Sequence, residues 1–184
     1  MSKKTLTIIA AIIVLGIVGV SGVLLNSLYG TGQTTPEPDP AGQSSSALSE
    51  GSFPQNIAGL SLAQVTSGDQ AMGMISQLHG KEITIKQGYI AQYGGAGGSQ
   101  MTVWVSESNN ETEAVQLMDI MDKKMPASKA FSGRKELTVN GAKVVNVQGM
   151  GQEHYYWQKG TKVYWIAVGG ADPMQVLKEA MKSL

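Results

Sequence analysis

The sequence predicts an α+β fold: one mainly antiparallel sheet with three helices packed on it, carried behind an N-terminal transmembrane helix. Three observations predict it. Leu6–Leu25 reads LTIIAAIIVLGIVGVSGVLL, twenty residues without a charge, about the length a helix needs to cross a bilayer. Three later stretches repeat apolar residues at helical spacing, and short turns rather than long crossovers join the strand-like runs between them. Asn140-Gly141 separates Glu136–Val139 from Lys143–Val147, and that dipeptide supplies the positive φ angles of a type I′ hairpin.

The apolar run sets the address. Lys3 and Lys4 precede it, and the next basic residue is Lys81. Positive charge on one side of a membrane helix holds that side in the cytoplasm. The expectation is a single-pass cell-membrane protein, N-terminus inside, with the membrane as a partner through Leu6–Leu28. The run is longer than a signal-peptide core, and its passable cleavage site, Val20-Ser21-Gly22, lies within it. The chain then divides into a cytoplasmic tip (1–5), a transmembrane helix (6–28), a Pro/Gly/Ser/Thr-rich disordered linker (29–52) and an extracytoplasmic α+β domain (53–184). The linker carries only acidic charges and too little apolar surface to offset its ordering entropy.

The 184 residues are formally neutral. Beyond residue 30, twelve basic residues stand against fourteen acidic ones, a net −2, which excludes the basic surface of a nucleic-acid binder. The absence of cysteine excludes a disulfide scaffold, thiolate metal sites and a cysteine-linked lipid anchor.

Within the domain, Ile57–Val65 alternates weakly and reads as a first strand. Ser67-Gly68-Asp69 opens a helix in which Ala71, Met74, Ile75 and Leu78 share a face, and Gly80 ends it. Ile83–Tyr93 is a strand bent at Gly88, followed by a flexible hairpin loop, Gly94–Gly98. That loop lacks the lysine of a phosphate-binding loop. In the returning strand Met101, Val103 and Val105 face one way, Thr102 and Trp104 the other. Ser108-Asn109-Asn110 with Glu111 and Glu113 starts a second helix. Its stripe is Ala114, Leu117, Met118, Met121 and Met125, its last turn holds Lys123 and Lys124, and Pro126 stops it. After the Asn140-Gly141 hairpin come strands Glu153–Gln158 and Lys162–Val168 around Lys159-Gly160. Asp172-Pro173 caps a last helix with Val176, Leu177, Ala180, Met181 and Leu184 on one face. The helices are expected on one side of the sheet.

Over about residues 136–184 the order is strand, Asn140-Gly141, strand, Tyr156-Trp157, Lys159-Gly160, Tyr164-Trp165-Ile166 and a closing helix. This resembles small exported domains of unknown function in membrane-anchored bacterial proteins related to sigma-factor regulation and sporulation. The resemblance implies a non-catalytic extracytoplasmic module and transfers no functional residue.

There is no G-x-S-x-G and no H-E-x-x-H. The reading that follows is a membrane-tethered, non-catalytic binding or sensor module, an accessory subunit of an envelope complex with a protein or glycan partner. One alternative is an exported copper protein using His79, His154, Met72 and Met74, since thioether and imidazole ligands suit copper. Ordinary helix-end and core roles compete for each of these residues. Another alternative is a hydrolase with an unrecognised site. Tyr155, Trp157, Tyr164 and Trp165 crowd two neighbouring strands. On a sheet with one free face the pair that the register turns outward would form an exposed recognition platform; the competing reading is a second face buried by loops or the N-terminal strand. Asn110-Glu111-Thr112 is a glycosylation sequon at a helix start, where Asn110 also suits an N-cap.

Overall fold

The computed structural model describes residues 52–79, 83–125 and 128–184. The apolar run, nearly all of the linker, and the stops at Gly80 and Pro126 lie outside the described residues. Among those described, no helix is long and apolar enough to cross a membrane.

The elements are β1 (Asn56–Ile57), β2 (Leu60–Ser67), α1 (Gly68–His79), β3 (Gln87–Gly94), a 3-10 turn at Ala96–Gly98, β4 (Gln100–Glu107), α2 (Glu111–Lys124), β5 (Ser132–Val139), β6 (Ala142–Gly149), β7 (Gln152–Lys159), β8 (Lys162–Gly169) and α3 (Pro173–Ser183). The strands form one eight-stranded sheet in the order β1-β2-β3-β4-β8-β7-β6-β5. Every pairing is antiparallel. The fold class read from the sequence is therefore present: an α+β domain with an antiparallel sheet and three helices.

The helices, however, are not on one side. The apolar stripe of α3 (Val176, Leu177, Ala180) packs with Tyr89, Tyr93, Met101, Val103, Trp157, Tyr164 and Ile166 on one face. Residues of α1 (Ile75) and α2 (Ala114, Leu117, Met121) pack with Val145, Val147, Tyr156 and Val163 on the other. The reason is visible in the strands. β7 and β8 each carry four or more buried residues in succession or nearly so, and a sheet apolar on both faces needs cover on both.

The first predicted strand is split. Ala58 and Gly59 adopt positive φ (52° and 81°), Asn56 Oδ1 accepts from the Gly59 amide at 3.0 Å, and β1 folds back on β2. The register then shifts between Leu62 and Gln64. Leu62 and Val65, of opposite parity, consequently reach the same core; a bulge has that effect. Gly88 does not mark a bend. A Cβ there would lie 2.9 Å from Ile75 Cδ1 and 3.2 Å from the Met72 backbone nitrogen, so glycine lets α1 seat directly on β3.

Candidate functional site

The aromatic strands come first. Tyr155, Trp157 and Tyr164 point to the α3 face and are 4%, 1% and 2% exposed. Trp157 stacks on its cross-strand partner Tyr164 with centroids 5.0 Å apart and rings 7° from parallel. Trp165 lies on the opposite face, half-buried, stacked on Tyr156 at 5.0 Å and 3°. The exposed platform expected from the sequence is thus corrected: three of its four rings are core beneath α3, and the fourth belongs to the other face. The expectation placed all three helices on one side, and α3 occupies the face presumed free.

His154 is fully buried. Its Nδ1 accepts from the Trp165 indole N–H at 3.1 Å, so Nε2 carries the proton and donates to the Gly149 carbonyl at 3.0 Å. Burial, the largest effect, holds its pKa below the ordinary 6.5. Phe131 meets the imidazole edge-on at 5.0 Å. Both ring nitrogens are therefore committed to structure, and His154 has no lone pair left for a metal. Met72 and Met74 are partly exposed on α1, with Met72 packed against the α1/α2 core. His79 is the last residue of α1, and its side chain lies outside those described. Among the described residues no group of three or more His, Cys, Asp or Glu could hold a metal ion.

Asn110 is the N-cap of α2. Its Oδ1 accepts from the Glu113 amide at 2.9 Å, and its Nδ2 donates to Glu113 Oε1 at 3.0 Å. Glu113 Oε2 also accepts from the Asn109 backbone at 3.1 Å. This reciprocal cap engages the nitrogen that a glycan would use.

The charged network at the other end of the sheet gave no sequence signal. Arg134 of β5 grips Asp122 of α2 through two bonds of 2.7 and 2.6 Å and donates to Glu136 at 2.8 Å. Glu136 also pairs with Lys143 at 3.1 Å. The buried Tyr156 hydroxyl donates to Asp122 Oδ1 at 2.9 Å. The Arg134 hydrogen bonds, above all, hold Asp122 below the usual carboxylate range, while burial and then the Asp122 bond push Tyr156 up. These residues are twelve and thirty-four positions apart in sequence, so only the fold brings them together. The network ties α2 to the β5 edge.

A shallow cleft of about 310 Å³ opens where the β6–β7 turn meets the start of α3. Its one carboxylate, Glu153, is engaged by neighbouring amides. Glu153 accepts from Asn146 Nδ2 (2.8 Å) and Gln148 Nε2 (2.7 Å), and Asp172 takes the Met174 and Gln175 amides.

What remains open is an edge. β1 covers β2 only at Leu60 and Ser61, and the Leu62 amide still reaches Gln55 O at 2.9 Å. Beyond that, no strand among those described lies outside Ala63–Thr66. This segment holds no charge and no proline. Its weak alternation, broken by the turn and the bulge, concealed it as an edge.

No protein-family model matches the chain, and no curated protein or solved structure matches it either. The site rests on its geometry.

Proposed function

We propose that this chain is a membrane-tethered, non-catalytic extracytoplasmic binding module that takes hold of an extended polypeptide strand along the outer edge of β2. The observation that carries this is the uncharged segment Ala63–Thr66, which has β3 on one side and no described strand on the other. Such an edge offers backbone N–H and C=O groups in the spacing an added strand needs. The covered sheet faces support it, because they leave neither face for a platform. The commitment of His154, Asp122 and Glu153 to internal hydrogen bonds speaks for an architectural rather than a catalytic use of the domain's titratable groups. The uncharged Leu6–Leu25 run behind Lys3 and Lys4 supports an anchor with the domain outside. The resemblance of residues 136–184 to exported domains of membrane-anchored proteins agrees with this reading.

The test uses the full chain in its native membrane. A photo-activated cross-linking residue replaces Thr66 on β2 or, as control, Thr138 on β5. The reading expects a discrete cross-linked polypeptide from position 66 and none from 138. Identical patterns at the two positions would contradict it.

A further inference from the structure

We infer that the cleft between the β6–β7 turn and the start of α3 receives an arginine side chain of a partner polypeptide, with the Glu153 carboxylate as its counter-charge. The site is separate from the β2 edge, because β3, β4 and β8 stand between β2 and β7 in the sheet.

The charge comes first. Glu153 stands opposite Gln148 of β6 and Val168 of β8, and all three line the cleft of about 310 Å³. Gln148 Nε2 donates to Glu153 Oε1 at 2.7 Å, and Asn146 Nδ2 donates to Oε2 at 2.8 Å. Both donors are neutral amides. Among the described residues no lysine, arginine or histidine forms an ion pair with Glu153. The carboxylate is therefore oriented but not neutralised. Its field is felt nearby: burial, then Glu153, then Asp172, push the Tyr155 hydroxyl up to about 12.

The shape of the acceptor selects the cation. An ionised carboxylate offers about four lone-pair sites, two on each oxygen. Each oxygen of Glu153 has one partner, so one site remains on each. Two parallel acceptors suit the planar fork of a guanidinium, whereas an ammonium is a point charge without that match. The walls suit the rest of the side chain. Val168, Ala171 and Pro173 are apolar and fit a methylene stem. They are also held in place: Ser99 Oγ donates to the Gly170 carbonyl at 2.6 Å, and Asp172 caps α3. A site fixed before binding loses less freedom when it is filled.

Met150 gives an independent sign of an outside contact. It lies at the turn between Gly149 and Gly151, which both line the cleft. Its φ is 52° and it is 39% exposed, and it belongs to neither core cluster. The corresponding turn position of the β5–β6 hairpin holds Asn140 at φ 51°, a residue that tolerates this left-handed conformation. Methionine is unfavourable there on two counts, backbone and solvation, and no internal packing offsets them. An adaptable thioether beside the cleft covers the stem of a bound side chain.

The test titrates the full chain in detergent micelles with a capped Ala-Arg-Ala tripeptide and its lysine and citrulline counterparts, following backbone and side-chain amide signals by NMR. Citrulline keeps the shape of arginine without its charge. The arginine peptide should give saturable shifts at the Gly149, Gly151 and Gly170 amides and at the Gln148 side-chain amide, with the other two peptides binding roughly tenfold more weakly. Glu153→Gln should weaken the arginine peptide by roughly tenfold. Met150→Asn, which suits the turn, should weaken it roughly threefold without lowering stability. Absence of saturable shifts, equal affinity for the arginine and citrulline peptides, or undiminished binding by Glu153→Gln overturns the inference. Equal affinity for the lysine peptide overturns the assignment to arginine. Neither result touches the β2 edge, which the cross-linker at Thr66 tests separately.

Discussion

The two edges of this sheet are built on opposite plans. At β5, Arg134 clamps Asp122 of α2, Glu136 joins Lys143, and the buried Tyr156 hydroxyl ties the clamp to the core. Charge and a bulge close that edge. At β2, two residues of β1 pair with the beginning of the strand, and the ring of Phe53 is buried against Tyr89, the partner of Ser67 at its end, at 6.0 Å. Between them Ala63–Thr66 is neutral, and no described strand pairs outside it. A sheet whose two faces are both buried by helices has only its edges left for backbone recognition, and here one edge is blocked and the other is left open.

The comparison can be broken most strongly at Phe53. Phe53→Ala empties a core position and loosens β1 from β2, and should cost about 3–5 kcal/mol. Chemical denaturation of the full chain in detergent would measure it. Next is the clamp. Asp122→Ala leaves Arg134 without its principal acceptor and the buried Tyr156 hydroxyl without one, at about 2 kcal/mol, and should speed hydrogen exchange in β5 while leaving β2 unchanged.

The third concerns acid. His154 is neutral in the fold with its pKa held below 6.5, so the unfolded chain takes up the proton first. Stability is then complete above about pH 6.5 and falls as pH drops toward the folded value, by at most about 1.4 kcal/mol per pH unit. An imidazolium cannot accept from Trp165. Melting followed between pH 7.5 and 5 should show this slope, and His154→Gln should remove it. The smallest effect is at the cap of α2, the helix that holds Asp122 of the clamp: Asn110→Ala should cost about 1 kcal/mol, read as a lower denaturation midpoint.

Most of the domain was legible from residues alone, for identifiable reasons. Asn140-Gly141, Asp172-Pro173 and the Asn110–Glu113 cap are local chemistry, and each stands where its sequence places it. The helix stripes of α2 and α3 are local periodicity, and they do form the buried faces. The distribution of helices over the two faces was not legible. It depends on how the crossover from β4 through α2 reaches the far edge, and no local pattern encodes that. It bears on Tyr155, Trp157 and Tyr164, for which the sequence leaves an exposed platform and a buried second face both open, and which α3 buries. The Asp122–Arg134–Tyr156 network is long-range. The open edge was masked by the Ala58-Gly59 turn and the bulge before Gln64, which disturb the period-two pattern that announces a strand.

The most direct measurement of the central claim, that this sheet recognises a partner through β2 and not β5, is amide hydrogen exchange on the full chain in its native membrane and after purification in detergent. The account predicts that amides of Ala63–Thr66 are more protected in the membrane while those of Ser132–Val139 do not change. Exchange at the β2 edge that is the same in both preparations, or protection gained at β5 instead, would contradict it.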